Sequence, residues 1–264
     1  MSGEKKQKVL VLGGTGYVGS NLLVKCFDET DMEAVAVGRE FHVTRKIDEY
    51  DVIVNCCGIA SLQSCGSRNA LDDAYRANVA IPLQIRERYD GDFVHMSSAF
   101  AVFDPHLSRY GKLKQVADKG LAELEKQGHP KTLVVYPGWL YGGLNDAKTL
   151  PSFIESNGGL DIFKTIDNVK TANPTRMDWF ASTVVNMIRH RFTGPHAVYE
   201  RPVMTAAQLL EHLGIWGKHW SKGFYEDAVP RPLDWSYNDK LPHFTHVTPE
   251  TCKLLFSETL TAAK

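Results

Sequence analysis

Long apolar runs, an imbalance of charge and metal-type cysteine spacing are all missing from this chain of 264 residues. Its uninterrupted apolar stretches reach about six residues at most, against the ~20 that cross a bilayer, so a membrane span is excluded. Lys and Arg number 30 and Asp and Glu 31, a formal net charge of −1. That balance provides no basic surface to hold a phosphate backbone by counterion release, which speaks against a reader of DNA or RNA. The five cysteines include no CxxC pair: Cys56 and Cys57 are adjacent, and Cys65 stands apart from Cys26 and Cys252. A chain of this length needs no disulfide staples, so reduced thiols are expected. The histidines, among them His42, His95, His129 and His196, show no HExxH or paired-ligand spacing, and no metal is expected. Met1–Lys8 is charged, with no apolar segment of the signal-peptide kind. The expected location is the cytoplasm, with mitochondria left open only if a presequence has been removed.

What is present is an alternation of short β-branched runs with helical patterns. Val9–Leu12, Ala34–Val37, Val52–Cys56, Phe93–Met96 and Thr132–Tyr136 read as strands. Gly19–Phe27, about Ala70–Tyr89 and about Tyr110–Gln127 read as helices. Strands that are apolar without alternation are buried on both faces, which predicts an α/β fold, a Rossmann-type doubly wound parallel sheet. The connection Arg39–Asp51 is short for a full crossover, so a strand or its helix should be trimmed there. After Pro137 glycine and proline become frequent, and the helices that stand out are Asp178–Arg191 and Thr205–Leu213. The expected division is a dinucleotide-binding domain over 1–141, to which 167–194 returns. Residues 142–166 and 195–264 form a small C-terminal substrate lobe over the strand ends, where ligands of such sheets sit.

Gly13-Gly-Thr15-Gly16-Tyr17-Val18-Gly19 closes the first strand and opens the first helix. The spacing suits a dinucleotide pyrophosphate. Gly13 makes the tight turn, Gly16 admits the phosphates to the backbone, Gly19 lets helix and strand pack closely, and the helix N-terminus offers free N–H groups. Thr15, Tyr17 and Val18 line the same turn. The second strand ends in Gly38-Arg39, where an NAD site usually carries a carboxylate. A guanidinium suits a 2′-phosphate, so NADP is expected ahead of NAD, although Glu40 keeps NAD open. Further on, Phe93–Met96 leads into Ser97 and Ser98, and Tyr110 and Lys114 share one face of the following helix. An ammonium beside a phenol favours phenolate and lowers its pKa from about 10, so that the phenol can exchange a proton with a carbonyl or alcohol.

These residues resemble the short-chain dehydrogenase/reductase superfamily in its extended or atypical, epimerase/dehydratase-like branch. The resemblance is close over about Lys8–Gly142 and loose beyond. It implies that Ser98, Tyr110 and Lys114 are catalytic, with Ser97 as the alternative hydroxyl, and that Lys114 also holds the nicotinamide ribose. It implies cofactor contacts from Cys57 and Gly58 in Asn55-Cys-Cys-Gly58, from Asn78 in Ala74-Tyr-Arg-Ala-Asn78, and from Pro137 in Tyr136-Pro137-Gly-Trp-Leu-Tyr141-Gly142. The departures are a short Ser98-to-Tyr110 interval and Tyr136 in place of the family's usual Arg.

The expected function is an NADP-dependent oxidoreductase transferring hydride to a small-molecule carbonyl, on a sugar or nucleotide-sugar. A non-catalytic NADPH-binding subunit of a larger complex and an NAD-dependent epimerase or dehydratase are the alternatives, and a homodimer is left open. His95 reads as a bonded core residue. Trp216, His219, Trp220, Phe224 and Tyr225 read as the core of the lobe or the lining of its pocket. Arg176 is either an anion-holding residue or part of a capping ion pair beside Asp178 and Trp179. The face Ala70, Ala74, Ala77 and Ile81 packs on the sheet or on a second subunit.

Overall fold

A computed structural model describes residues 6–29, 31–38, 46–59, 68–103, 109–145, 165–166, 171–172, 174–200, 204–205, 221–222 and 245–247. The first half runs β1 (Gln7–Leu12), α1 (Tyr17–Asp28), β2 (Met32–Val37), β3 (Val52–Asn55), α2 (Arg68–Tyr75), a π-helical turn (Arg76–Ala80) and α3 (Ile81–Arg88). Then come β4 (Asp92–Met96), α4 (Ala99–Phe103), α5 (Arg109–Lys126), β5 (Thr132–Pro137) and β6 (Trp139–Tyr141). The second half contributes β7 (Thr165–Ile166), β8 (Thr171–Ala172), β9 (Pro174–Arg176), α6 (Met177–Arg189) and β10 (Gly194–Val198). The last described strands are β11 (Met204–Thr205), β12 (Ser221–Lys222) and β13 (Thr245–Val247). No described helix is long and apolar enough to cross a membrane.

Seven of these strands form one sheet in the order β2-β1-β3-β4-β5-β10-β13, every pair parallel. The sidedness of β1 shows why its residues are all apolar. Val9 and Val11 enter one core with Val52, Val54, Val94 and Val135, under α1 and α6. Leu10 and Leu12 enter the other with Ile53, Phe93, Ile85 and Leu121, under α3 and α5. A strand covered on both faces favours apolar residues at consecutive positions.

β2 is the outermost strand on its side, in keeping with the short connection that follows it. The chain steps one way from β1 to β2 and the other way to β3, so the crevice where strand order reverses lies at the C-terminal ends of β1 and β3. Three features differ from expectation. The sheet reaches into residues 195–264, because β10 pairs with β5 and β13 with β10; Gly194-Pro195-His196 carries no β-branched signal that would reveal a strand. The helix expected over 70–89 is interrupted by the π turn, in which Ile81 N–H donates to the Arg76 carbonyl. Pro82 has no N–H for the Asn78 carbonyl and its ring crowds that group, so the helix widens there. Of the helix expected over Thr205–Leu213, Thr205 lies in β11, paired with β8, and 206–213 fall outside the described residues.

Phe180, fully buried in α6, is wedged among residues of the first core. Phe180→Ala is expected to lower unfolding free energy by about 3–5 kcal/mol, read as a reduced urea midpoint at unchanged slope.

Candidate functional site

Three chain segments converge at the C-terminal edge of β1, β3 and β4. In the first, the turn after β1 is pinned to β2 by Gly13 N–H donating to the Val37 carbonyl at 2.8 Å. Gly13 has φ +73°, and a Cβ there would lie 3.0 Å from the Cys56 backbone. A Cβ on Gly19 would run into the Gly13 carbonyl. Side chains at either place would push α1 off the sheet. Gly16 is the N-cap of α1, with no side-chain cap and no acidic residue in the first turn. Thr15 and Gly16 are exposed, and Tyr17 and Val18 are half-buried. The opening turn thus presents uncapped amides beside the positive end of a helix, the arrangement that receives a phosphate.

The second segment leaves β3. Asn55 Oδ1 accepts from Cys57 N–H at 3.1 Å, which fixes its amide so that Nδ2 faces His95 Nδ1 at 3.0 Å. Nδ1 of His95 is therefore the acceptor and Nε2 carries the hydrogen of the neutral ring. Burial and the nearby Lys114 hold His95 well below its ordinary pKa. Burial pushes the Cys57 thiol up to about 11 and the Cys26 thiol up to about 12, so these are protonated thiols at neutral pH.

The third segment is the start of α5. Lys114, 2% exposed, donates from Nζ to the Met96 carbonyl at 2.7 Å, at the end of β4. A Cβ on Gly58 would sit 3.5 Å from Lys114 Nζ and 3.0 Å from Asn78 Oδ1. Asn78 lies in the π turn, fully buried, with Nδ2 donating to the carbonyls of Ala74 and Ile59. Its Oδ1 finds no hydrogen-bond partner among the described residues. An orphaned amide oxygen and a buried ammonium flanking a glycine that has no side chain fit a polar ligand such as a ribose.

Cys56, Cys57 and Gly58 thus link the glycine turn to Lys114. Ser98, 8% exposed, ends the short connection from β4 to α4, and Tyr110 lies one turn before Lys114 on α5. Ser97 is occupied elsewhere: its Oγ donates to Asp118 Oδ2 at 2.7 Å. Tyr136 donates to the same oxygen at 3.0 Å. Pro137 ends β5 and is half-buried.

Asp118 escapes a motif search, although its i,i+4 spacing from Lys114 repeats that of Lys114 from Tyr110. A second feature missed from sequence is the clamp between the turn after β6 and α1. Tyr17 Oη donates to the Gly142 carbonyl at 2.8 Å, and Asn21 exchanges two hydrogen bonds with the backbone of Leu144, at 2.8 and 2.9 Å. Arg176 stands at the N-cap position of α6 without a side-chain capping bond and pairs with Glu200 at 3.1 Å and Asp178 at 3.8 Å. Ile81 packs against the second core, so the small-residue helix face meets the sheet side there. Arg39, Glu40 and the cluster around Trp216 lie outside the described residues.

Lys114 is lowered to about 8 by burial, against the opposing charge of Asp118. A folded-state pKa below the unfolded one takes away stability while the group is charged. The deficit is full below about 8 and disappears as pH rises to the ordinary lysine value near 10.4. Wild-type protein should therefore gain melting temperature relative to Lys114→Met between about pH 8 and pH 10, measured by pH-resolved thermal unfolding. Parallel curves would contradict the buried ammonium.

No protein-family model matches the sequence, and no curated protein matches it either. Solved structures do. A dTDP-4-dehydrorhamnose reductase from Bacillus anthracis in complex with NADP aligns with a TM-score of 0.73 at 15% identity, covering 97% of this chain and 100% of that one. A dTDP-4-dehydrorhamnose reductase from Clostridium acetobutylicum aligns with a TM-score of 0.69 at 18% identity, covering 94% and 92%. UDP-glucuronic acid 4-epimerase from Bacillus cereus, in complex with UDP-glucuronic acid and NAD, gives 0.69 at 16% identity, covering 91% and 94%. At these identities the likeness is one of fold, the Rossmann-type α/β sheet expected from sequence.

Proposed function

We propose that this chain is an NADP-dependent reductase of the short-chain dehydrogenase/reductase type, acting on the carbonyl of a sugar or nucleotide-sugar. The observation that carries the reading is the continuous track from the Gly13–Gly19 turn, past Cys57 and Gly58, to the buried Lys114 and the orphaned Asn78 oxygen. A pyrophosphate on the amides of Thr15, Tyr17 and Val18 and a ribose at Lys114 and Asn78 would occupy its two ends; the Gly16 amide itself donates to the Gly13 carbonyl at 2.9 Å. When bound, the dinucleotide supplies hydride. The choice of NADP rests on Arg39, whose guanidinium pairs with a 2′-phosphate, and agrees with the NADP held by the Bacillus anthracis reductase of the same fold.

The chain's own residues then divide the work. Tyr110 gives its proton to the carbonyl oxygen, and the Lys114 ammonium favours the phenolate that results. Ser98 steadies the carbonyl oxygen, in the place that the resemblance to the short-chain dehydrogenase/reductase superfamily implies. Pro137, ending β5, bounds the nicotinamide end. The sugar-nucleotide substrate class follows the two reductases and the epimerase that share the fold.

Purified protein given NADPH and a panel of keto-sugars, free and nucleotide-linked, is expected to oxidise the cofactor. Tyr110→Phe should lower turnover by about 10²–10⁴-fold and leave NADPH affinity unchanged. Tight NADPH binding without turnover, in a protein that copurifies with a large complex, would favour an accessory subunit instead. Arg39→Ala is expected to weaken NADPH by about 10–100-fold while sparing NADH, by titration calorimetry. An unchanged preference between the two would overturn the choice of NADP.

A further inference from the structure

Beneath the Tyr110–Lys114 pair lies a carboxylate that the proposed chemistry does not use. Asp118 follows Lys114 by one turn of α5, and its side chain keeps only 14% of its surface. What surrounds it is a set of donors. Ser97 from the end of β4 and Tyr136 from β5 both give hydroxyl hydrogens to Oδ2. His95 from β4, whose Nε2 bears the ring hydrogen, points that nitrogen at Oδ1 from 3.8 Å. Oδ1 and Nε2 have no hydrogen-bond partner among the described residues, and 3.8 Å is too long for a bond between them. A neutral carboxylic acid would need an acceptor for its own hydrogen, whereas an anion is served by the two hydroxyl donors and by the His95 N–H dipole nearby.

Lys114 stands in the complementary position. Its ammonium is buried and donates to the Met96 carbonyl, next in the chain to the Ser97 that donates to Asp118, and the ionisable groups near it are Asp118 on its own helix and the Cys56 and Cys57 thiols after β3. His95 is neutral, and the thiols are protonated at neutral pH. Asp118 is therefore the only anion near Lys114 among these described groups.

We propose that Asp118 is the counter-charge that keeps Lys114 in its ammonium form, a positioning residue that acts on the reaction through Lys114. Its consequence for turnover rests on the reductase reading; the charge pairing does not. Burial pushes Asp118 up to about 6, against the hydrogen bonds from Ser97 and Tyr136, while Lys114 comes down to about 8. Both are charged between those values. Below about 6 Asp118 takes up a proton and the cation loses its partner. Above about 8 the ammonium itself is lost. Without Asp118, the upper limit falls.

The test is an NMR titration of full-length protein carrying 13Cε-labelled lysine, free of dinucleotide, with Lys114→Met assigning the resonance. Wild type should titrate near pH 8. Asp118→Asn keeps an oxygen for Ser97 and Tyr136 but removes the charge, and should bring the midpoint down by about 1–3 pH units. Asp118→Glu should restore it at least in part. An Asp118→Asn midpoint equal to wild type in a folded protein would overturn the proposal and leave Asp118 a structural residue. Should Asp118→Asn not fold, Ser97→Ala reads the same coupling: losing a donor raises the Asp118 pKa, so the acid-side inflection of the Lys114 resonance moves up from about 6. An unmoved inflection there overturns the proposal equally. Where turnover is measurable, the alkaline limb of kcat/KM should move down with the Lys114 midpoint. A shifted midpoint in a protein that reduces no carbonyl would sink the reductase reading and leave the charge pair standing.

Discussion

The backbone of the turn after β1 touches the backbone of both neighbouring strands, and everything at the site follows from that closeness. Gly13 abuts the chain leaving β3, Gly19 lies against the Gly13 carbonyl, and Gly13 N–H is bonded to the end of β2. With no Cβ in the way, α1 starts directly over the crevice where strand order reverses. Its first turn then shares a sheet edge with the exits of β3 and β4, where Gly58, Ser98 and Lys114 lie. One extra methyl at either glycine would separate the phosphate-type turn from the ammonium that the proposed chemistry needs.

Stability and chemistry are opposed at the far end of that track. Lys114 and Asp118 are both shifted against their own charge by burial, so each ion is retained at the expense of folding free energy. For Asp118 the stabilising proton is fully held below its ordinary range and is lost as pH rises through about 6. Buried, mutually charged groups shifted toward neutrality are what a proton-handling site requires and what a purely structural helix face avoids. The rest of the structure offsets the cost with two cores, one on each side of the sheet, and with Arg189, which ties the end of α6 to Glu29 and Asp31 at 2.7 and 3.1 Å.

The parallel sheet was readable because β1, β3, β4 and β5 are apolar at consecutive positions, a pattern only a doubly covered strand needs. β10 was not, because Gly194, Pro195 and His196 resemble a turn and owe their strand form to pairing with β5. The π turn had a visible signal in Pro82, whose effect on the Asn78 carbonyl places the orphaned amide oxygen at the site. Ser97 and Ser98 are adjacent hydroxyls in sequence, and the bond from Ser97 to Asp118 is visible only in three dimensions. Asp118 itself carried the right spacing but no motif, since a buried carboxylate is recognised by donors such as Ser97 and Tyr136 rather than by its neighbours in the chain.

The central claim is that one dinucleotide spans the glycine turn and Lys114. The measurement that tests it most directly is a crystal structure of the protein grown with NADPH. The account predicts the pyrophosphate against the amides between Gly14 and Val18, with the nicotinamide ribose within hydrogen-bond reach of Lys114 Nζ. A dinucleotide bound elsewhere, or the same crevice without one at saturating NADPH, would contradict it.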